Sequence, residues 1–181
     1  FVDQLPGVRV FDRAQVHVPI EVLEAAEAEL GDADTLIALG GGAAIGLGKA
    51  LRVRHPHLAL IALPTTFSGS EMTTMYGTTT GTVKQTGRSP AAQPDAVFYD
   101  VDFVKDLPVP LAVQSLTNGI AHVLSILSTG SLDPTQRGDA EAAAATVIRV
   151  SAIPPPPELD AVISARASSV FDPNAETTDA F

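Results

Sequence analysis

Two hydrophobic periods alternate along this 181-residue chain, and their order predicts its elements. Val8-Arg9-Val10-Phe11 reads as a short strand closed by Asp12 and Arg13. Over residues 20–30, apolar Ile20, Val22, Leu23, Ala26 and Leu30 roughly keep helical spacing, with Glu21, Glu24 and Glu27 between them. Gly31 stands where a helix commonly ends. Residues 35–39 are apolar after Thr35, the mark of a strand buried on both faces. Gly40, Gly41 and Gly42 then lead into a helix over residues 43–52. A second apolar strand over residues 58–63 completes a β-α-β unit.

Downstream the pattern changes. Residues 71–80 are threonine-rich and predicted extended, residues 81–88 turn-like, and residues 96–100 another strand, followed by one helical turn over residues 101–107. Pro108-Val109-Pro110 opens a long helix to about Leu127, since proline suits a helix's first turn. Asp133-Pro134-Thr135-Gln136 starts a further helix, with Asp as cap and Gln three residues on, continued by the alanine-rich residues 141–150. Residues 154–157 form a proline spacer, residues 159–170 a short helix and residues 172–181 an acidic tail. The expectation is an α/β chain. A Rossmann-like parallel sheet occupies residues 1–107, and a partial all-helical portion occupies residues 108–181.

Composition narrows this picture. With 45% hydrophobic residues, 5% aromatic and no Trp, the core must be built from Ala, Val, Leu and Ile. A net charge of −10 argues against nucleic acid, which needs clustered cations, and against a polybasic membrane contact. Cysteine is absent, which excludes disulfides and thiol catalysis. No run is expected to reach the roughly 20 apolar residues of a membrane span, and a cytoplasmic location is expected. The chain begins at Phe1 and not at Met, as expected either of a chain from which residues were removed or of a fragment.

The chemistry concentrates in two loops. Three glycines after a strand let the backbone approach a ligand, and the following helix N–H groups can cradle a pyrophosphate. A tight turn with close helix packing accounts for the same residues. The spacing is neither G-x-G-x-x-G nor the Walker sequence, because Lys49 lies well past the turn. The next strand delivers Pro64-Thr65-Thr66-Phe67-Ser68-Gly69-Ser70-Glu71, whose four hydroxyls suit phosphate oxygens and ribose at the end of an open parallel sheet. A plain serine-threonine turn is the alternative.

These motifs together resemble the iron-containing alcohol dehydrogenase superfamily. They are Ala38-Leu39-Gly40-Gly41-Gly42, then Gly46-Leu47-Gly48-Lys49-Ala50, then residues 63–73. Within that superfamily they look like maleylacetate reductases, as do His17-Val18-Pro19, residues 83–88, Phe98-Tyr99-Asp100 and Asn118-Gly119-Ile120-Ala121-His122. The resemblance implies an N-terminal dinucleotide-binding domain, a C-terminal helical domain and reduction of a small carboxylate with NAD or NADP. It puts Gly40, Gly41, Gly42 and Ala43 at the pyrophosphate, Ala43 standing where relatives have Ser. Thr65, Thr66, Ser68 and Ser70 then line the nucleotide, with Lys84 near its phosphates or ribose. Asn118, Met72 and Tyr76 would bind the small-molecule substrate. His122 would be the general acid, or else a helix histidine packed on the sheet.

Metal-dependent relatives use one Asp and three His. Here Asn118 and His122 occupy matching positions and no His follows residue 122, so no metal is expected. The Ser-to-Ala change at 43 and the missing histidines keep an alternative open: a redox-inactive shortened relative catalysing a cyclisation, dehydration or isomerisation, or an oligomeric binding module. A homo-oligomer is expected on either reading.

Overall fold

The apolar runs flanking the glycines form two parallel strands joined by a helix. A computed structural model describes residues 7–128 and 132–151; the expectations for residues 154–181 lie outside them. The chain divides into two units, Phe1–Leu107 and Pro108–Phe181. The first runs α1 (Ile20–Ala28), β1 (Thr35–Gly40), α2 (Gly42–Arg54), β2 (Ala59–Pro64), β3 (Met75–Thr80), β4 (Val83–Arg88) and β5 (Ala96–Val97). Short 3-10 turns lie at Ser70–Met72, Pro90–Ala92 and Val101–Phe103.

β1, β2 and β5 make a parallel sheet in that order. The register runs from Thr35 opposite Ala59 to Gly40 opposite Pro64, so β1 and β2 end at the same level. α2 crosses over them and buries Ile45, Leu47, Gly48, Ala50 and Leu51. A Cβ at Gly48 would lie 3.0 Å from Leu60 Cδ1 and 3.1 Å from Ala38 Cβ, so any side chain there would have to push these neighbours back by a few tenths of an ångström for the helix to sit this low on the sheet. Ala38, Ile45, Leu60 and Ala62 form the core between α2 and the sheet, while Val18, Leu23, Ala26, Leu47, Ala50 and Leu51 join α1 to α2.

Several expectations change. β1 is not buried on both faces: Ala38 is buried but Ile37 is 51% exposed. β1 is an edge strand whose second face lines an open groove of about 900 Å³, bordered by Val10, Phe11, Leu39 and Phe98. Residues 8–11 form no strand, having no strand partner among the described residues. Side chains anchor them instead: Arg9 donates to Leu30 O at 2.5 Å and to Asp32 at 2.9 Å, and Arg13 stacks on Phe11 and pairs with Glu29. α1 ends at Ala28, and Gly31 (φ +56°) serves the next turn instead of the cap.

Residues 81–88 are more than a turn. Gly81, at φ +59°, closes an antiparallel hairpin of β3 and β4. β5 covers only two of the expected five strand residues, and the expected helical turn after it narrows to Val101–Phe103.

In the second unit, α3 (Val109–Ser128) and α4 (Pro134–Ser151) form where the proline and capping signals placed them. Asp133 Oδ1 accepts from Gln136 N at 2.9 Å, and Gln136 Oε1 accepts from Asp133 N at 3.2 Å, a reciprocal capping box. α3 carries no charged residue over 20 residues and averages 1.2 in hydropathy, so by length and composition it is apolar enough to cross a membrane. No such run was expected from the sequence; the polar residues Gln114, Thr117, Asn118 and His122 interrupt it without an Asp, Glu, Lys or Arg.

Candidate functional site

Because β1 and β2 end level, their two loops emerge side by side. Thr65 N donates to Gly40 O at 3.0 Å, extending the ladder by one bond beyond the strands. Gly40 turns at φ +146°, a backbone that L side chains rarely adopt, and a Cβ there would lie 2.9 Å from Ala44 Cβ. A Cβ at Gly41 would lie 2.9 Å from Thr66 Cγ2. At Gly42 a Cβ would meet only Ser68 Oγ, at 4.0 Å. Gly40, Gly41, Gly42, Thr65, Thr66 and Ser68 therefore share one place.

α2 starts there without a side-chain cap: Gly41 is its N-cap, and Ala43 offers no hydroxyl. The first internal helix bond is Ile45 N to Gly41 O, at 3.1 Å. The N–H groups of the first turn thus face outward toward the hydroxyl loop, with the positive end of the helix behind them.

Beneath the loop lies a buried polar cluster that the sequence reading did not select. Lys49, two turns along α2 from Gly42, is fully buried. Its ammonium donates to Ser70 O at 2.7 Å, Thr73 O at 2.8 Å and Thr73 Oγ1 at 3.1 Å. Burial pushes its pKa down from 10.5 to about 8, opposed by the charge of Glu71. Glu71 is itself buried. One of its oxygens accepts from the Tyr99 hydroxyl at 2.8 Å, and the other has no hydrogen-bond partner among the described residues. Tyr99 is 64% exposed as a residue, but burial at its hydroxyl end, then its bond to Glu71 and the carboxylate's charge, push it up to about 12. The signal for Lys49 was present: one cation among Gly46, Leu47, Gly48, Ala50 and Leu51 on an apolar helix face.

The remaining predicted site residues are more dispersed. Ser70 opens the 3-10 turn that Lys49 holds, and Met72 in that turn is 62% exposed. Tyr76 lies on β3 with its ring against Gly87 of β4. Lys84 is exposed on β4, in a different sheet from the glycine turn. Asn118 and His122 are exposed on α3 of the second unit, one turn apart. They put an amide and an imidazole on one helix face. Among the described residues, no group of three or more His, Cys, Asp or Glu could hold a metal ion.

The basic residues ending α2 are structural. Arg52 bonds Gln93 O and Asp95, both at 2.9 Å, while Arg54 and His55 both hold Glu27.

The family model for iron-containing alcohol dehydrogenase matches residues 3–101. The chain belongs to that family. Maleylacetate reductase 1 of Cupriavidus pinatubonensis (strain JMP 134 / LMG 1197) is 44% identical over 126 residues, which are 68% of this chain and 35% of that protein. The crystal structure of maleylacetate reductase from Agrobacterium tumefaciens superposes with a TM-score of 0.66 at 38% identity, over 70% of this chain and 36% of the other. Sulfoacetaldehyde reductase from Bifidobacterium kashiwanohense, solved in complex with NAD+, shares the fold at 20% identity and a TM-score of 0.62, over 67% and 39% of the two chains. The chain spans about a third of the length of the maleylacetate reductases it matches.

Proposed function

We propose that this chain forms the dinucleotide-binding part of an NAD(P)H-dependent, metal-independent cytoplasmic reductase of the maleylacetate-reductase type, acting on a small unsaturated or keto carboxylate. One observation carries the reading: the glycine turn and the hydroxyl loop meet at the ends of β1 and β2, where open parallel sheets take their ligands. The uncapped start of α2 fits a pyrophosphate, and the absence of a Cβ at Gly42 leaves the space beside Ser68 open. The maleylacetate reductase relatives support the substrate class, and the NAD+ complex of a protein with the same fold supports the cofactor.

On this reading the backbone of Gly41, Gly42 and Ala43 holds the pyrophosphate. Thr65, Thr66, Ser68 and Ser70 orient the nucleotide, and Lys84 adds positive charge near its phosphates. When bound, the cofactor supplies the hydride. Asn118, Met72 and Tyr76 orient the substrate, and His122 donates the proton as general acid. The donor set on α3 does not suit a metal, because an amide is a poor ligand for a divalent cation. Calorimetric titration with NADH and NADPH, followed by oxidation of either with maleylacetate, tests the proposal. Binding and turnover are expected; the absence of both sinks it.

Ala43 favours a second reading, a relative that has kept the fold and catalyses a non-redox step. Nucleotide binding in the calorimeter counts against that one. The open apolar groove beside β1 supports a homo-oligomer, which a monodisperse monomer in light scattering would refute.

A further inference from the structure

The hydroxyl loop is held at two points. At its start, Thr65 N is tied to Gly40 O. At its end, Ser70 O receives the Lys49 ammonium at 2.7 Å, and Thr73 gives that ammonium two further acceptors. Three N–H donors thus meet three oxygens of one short segment. None of those oxygens is charged, so the lysine is not there as half of an ion pair. Glu71 supplies the negative field, but one of its own oxygens is turned to Tyr99.

Nor do the neighbouring elements offer another charged partner. β1, β2 and the Pro90–Ala92 turn contain no ionisable residue, and β3 contains only Tyr76. On α1, Glu21 and Glu24 are exposed and Glu27 is engaged by Arg54 and His55, and on α2 itself Arg52 is engaged by Asp95 and Gln93. A fully buried ammonium is costly, and an apolar side chain of equal length would serve packing as well. What methionine there could not do is grip the loop.

α2 carries both parts of the device. Its first turn faces the loop through Gly42 and Ser68, and Lys49, two turns later, fixes the loop's far end. We propose that Lys49 is the positioning residue of the dinucleotide site, setting the hydroxyl loop against the glycine turn through Ser70 and Thr73. The proposal rests on the dinucleotide reading above, and its test separates the two.

Three quantities are measured on wild type, Lys49→Met and Thr73→Val: melting temperature, hydrogen exchange of amides 65–73 without nucleotide, and the NADH dissociation constant. Lys49→Met is expected to melt close to wild type, since a buried charge has gone, yet to lose protection in residues 65–73. Its NADH affinity should fall about tenfold, the scale of one lost charge-assisted hydrogen bond. Thr73→Val, which removes one acceptor of Lys49 together with the Thr73 hydroxyl's own bond to Ser70 O at 3.1 Å, should shift both loop readouts in the same direction by less.

A folded Lys49→Met with wild-type loop protection and affinity overturns the proposal. So does a lowered melting temperature with unchanged affinity, the signature of a purely structural lysine. Should Lys49→Met not fold, Thr73→Val decides by the same readouts. If wild type binds neither NADH nor NADPH, the reductase reading falls, and the exchange measurement alone decides the role of Lys49.

Discussion

Gly40→Ala and Gly42→Ala, two residues apart, should have opposite effects. At Gly40 the backbone sits at φ +146°, which costs an L residue about 1–3 kcal/mol. The new methyl would also lie 2.9 Å from Ala44 Cβ, an atom with no rotamer to escape into, adding about 1–3 kcal/mol of overpacking. The sum, about 2–6 kcal/mol, lowers the melting temperature by roughly 10 °C or more in a unit of this size. At Gly42 the φ is ordinary, the residue opens α2, and its Cβ would touch only Ser68 Oγ at 4.0 Å. Folding should be unchanged or better by up to about 1 kcal/mol, the usual gain of alanine over glycine. That methyl would nevertheless occupy the space where a pyrophosphate meets the first turn of the helix. Thermal melts paired with calorimetric NADH titrations check both variants. Gly42→Ala should melt like wild type and bind at least about tenfold more weakly, the scale of one displaced phosphate contact. Wild-type affinity in that variant would refute the cradle and leave the glycines as a turn. Wild-type stability in Gly40→Ala would refute the strain.

Three further outcomes are expected. Between about pH 8 and 10.5 the unfolded chain binds a proton at Lys49 that the folded chain does not, so stability should rise with pH across that window, by at most about 3 kcal/mol; urea melts should lose this rise in Lys49→Met. Tyr99→Phe removes the one hydrogen bond that the described residues make to the buried Glu71 carboxylate and should cost about 2 kcal/mol in denaturant melts. Of the chain's two tyrosines, the phenol that ionises at about pH 12 should vanish from its ultraviolet titration. Asp95 is held below its ordinary 3.8 by Leu60 N–H and by Arg52, so its contribution is present above that value and fades as pH falls. Asp95→Asn should cost about 1 kcal/mol at neutral pH, kept small by the 48% exposure of its side chain, and nothing in acid.

The β-α-β unit was legible because each of its signals is local. Apolar runs, glycines and helical spacing all sit within residues 35–63, and the Asp133–Gln136 cap is a four-residue motif. What was missed depends on partners distant in sequence. Val8-Arg9-Val10-Phe11 alternates like a strand, but none of the described residues offers it a ladder, and Arg9 instead reaches Leu30 and Asp32. β4 has the polar residues Lys84, Gln85, Thr86 and Arg88 on both of its faces, so it shows no apolar period, and its pairing with β3 gives it its form. Ile37 looked buried because burial on the second face requires a covering element that local pattern does not report. The site divides the same way. The two loops could be read from their residues, whereas the three acceptors that explain Lys49 come from residues 21 and 24 positions away.

The convergence of those loops depends on register. Pro64 ends β2 opposite Gly40, but the N–H groups that reach β1 there are those of Ala59 and Thr65, so the proline's missing N–H lies on the β5 side, past the last β2–β5 pair at Ala62. Proline also holds Leu63 extended, which keeps β2 straight to its end. Thr65 then supplies the next ladder bond to Gly40 O and delivers Thr66 beside Gly41. A slip of one residue would turn the buried Leu60 and Ala62 outward and carry Thr66 away from the glycine turn in the same movement. The burial that fixes the sheet therefore also fixes the distance between the loops. The site inherits its geometry from the core, and Lys49 has only to hold the last few residues of the loop.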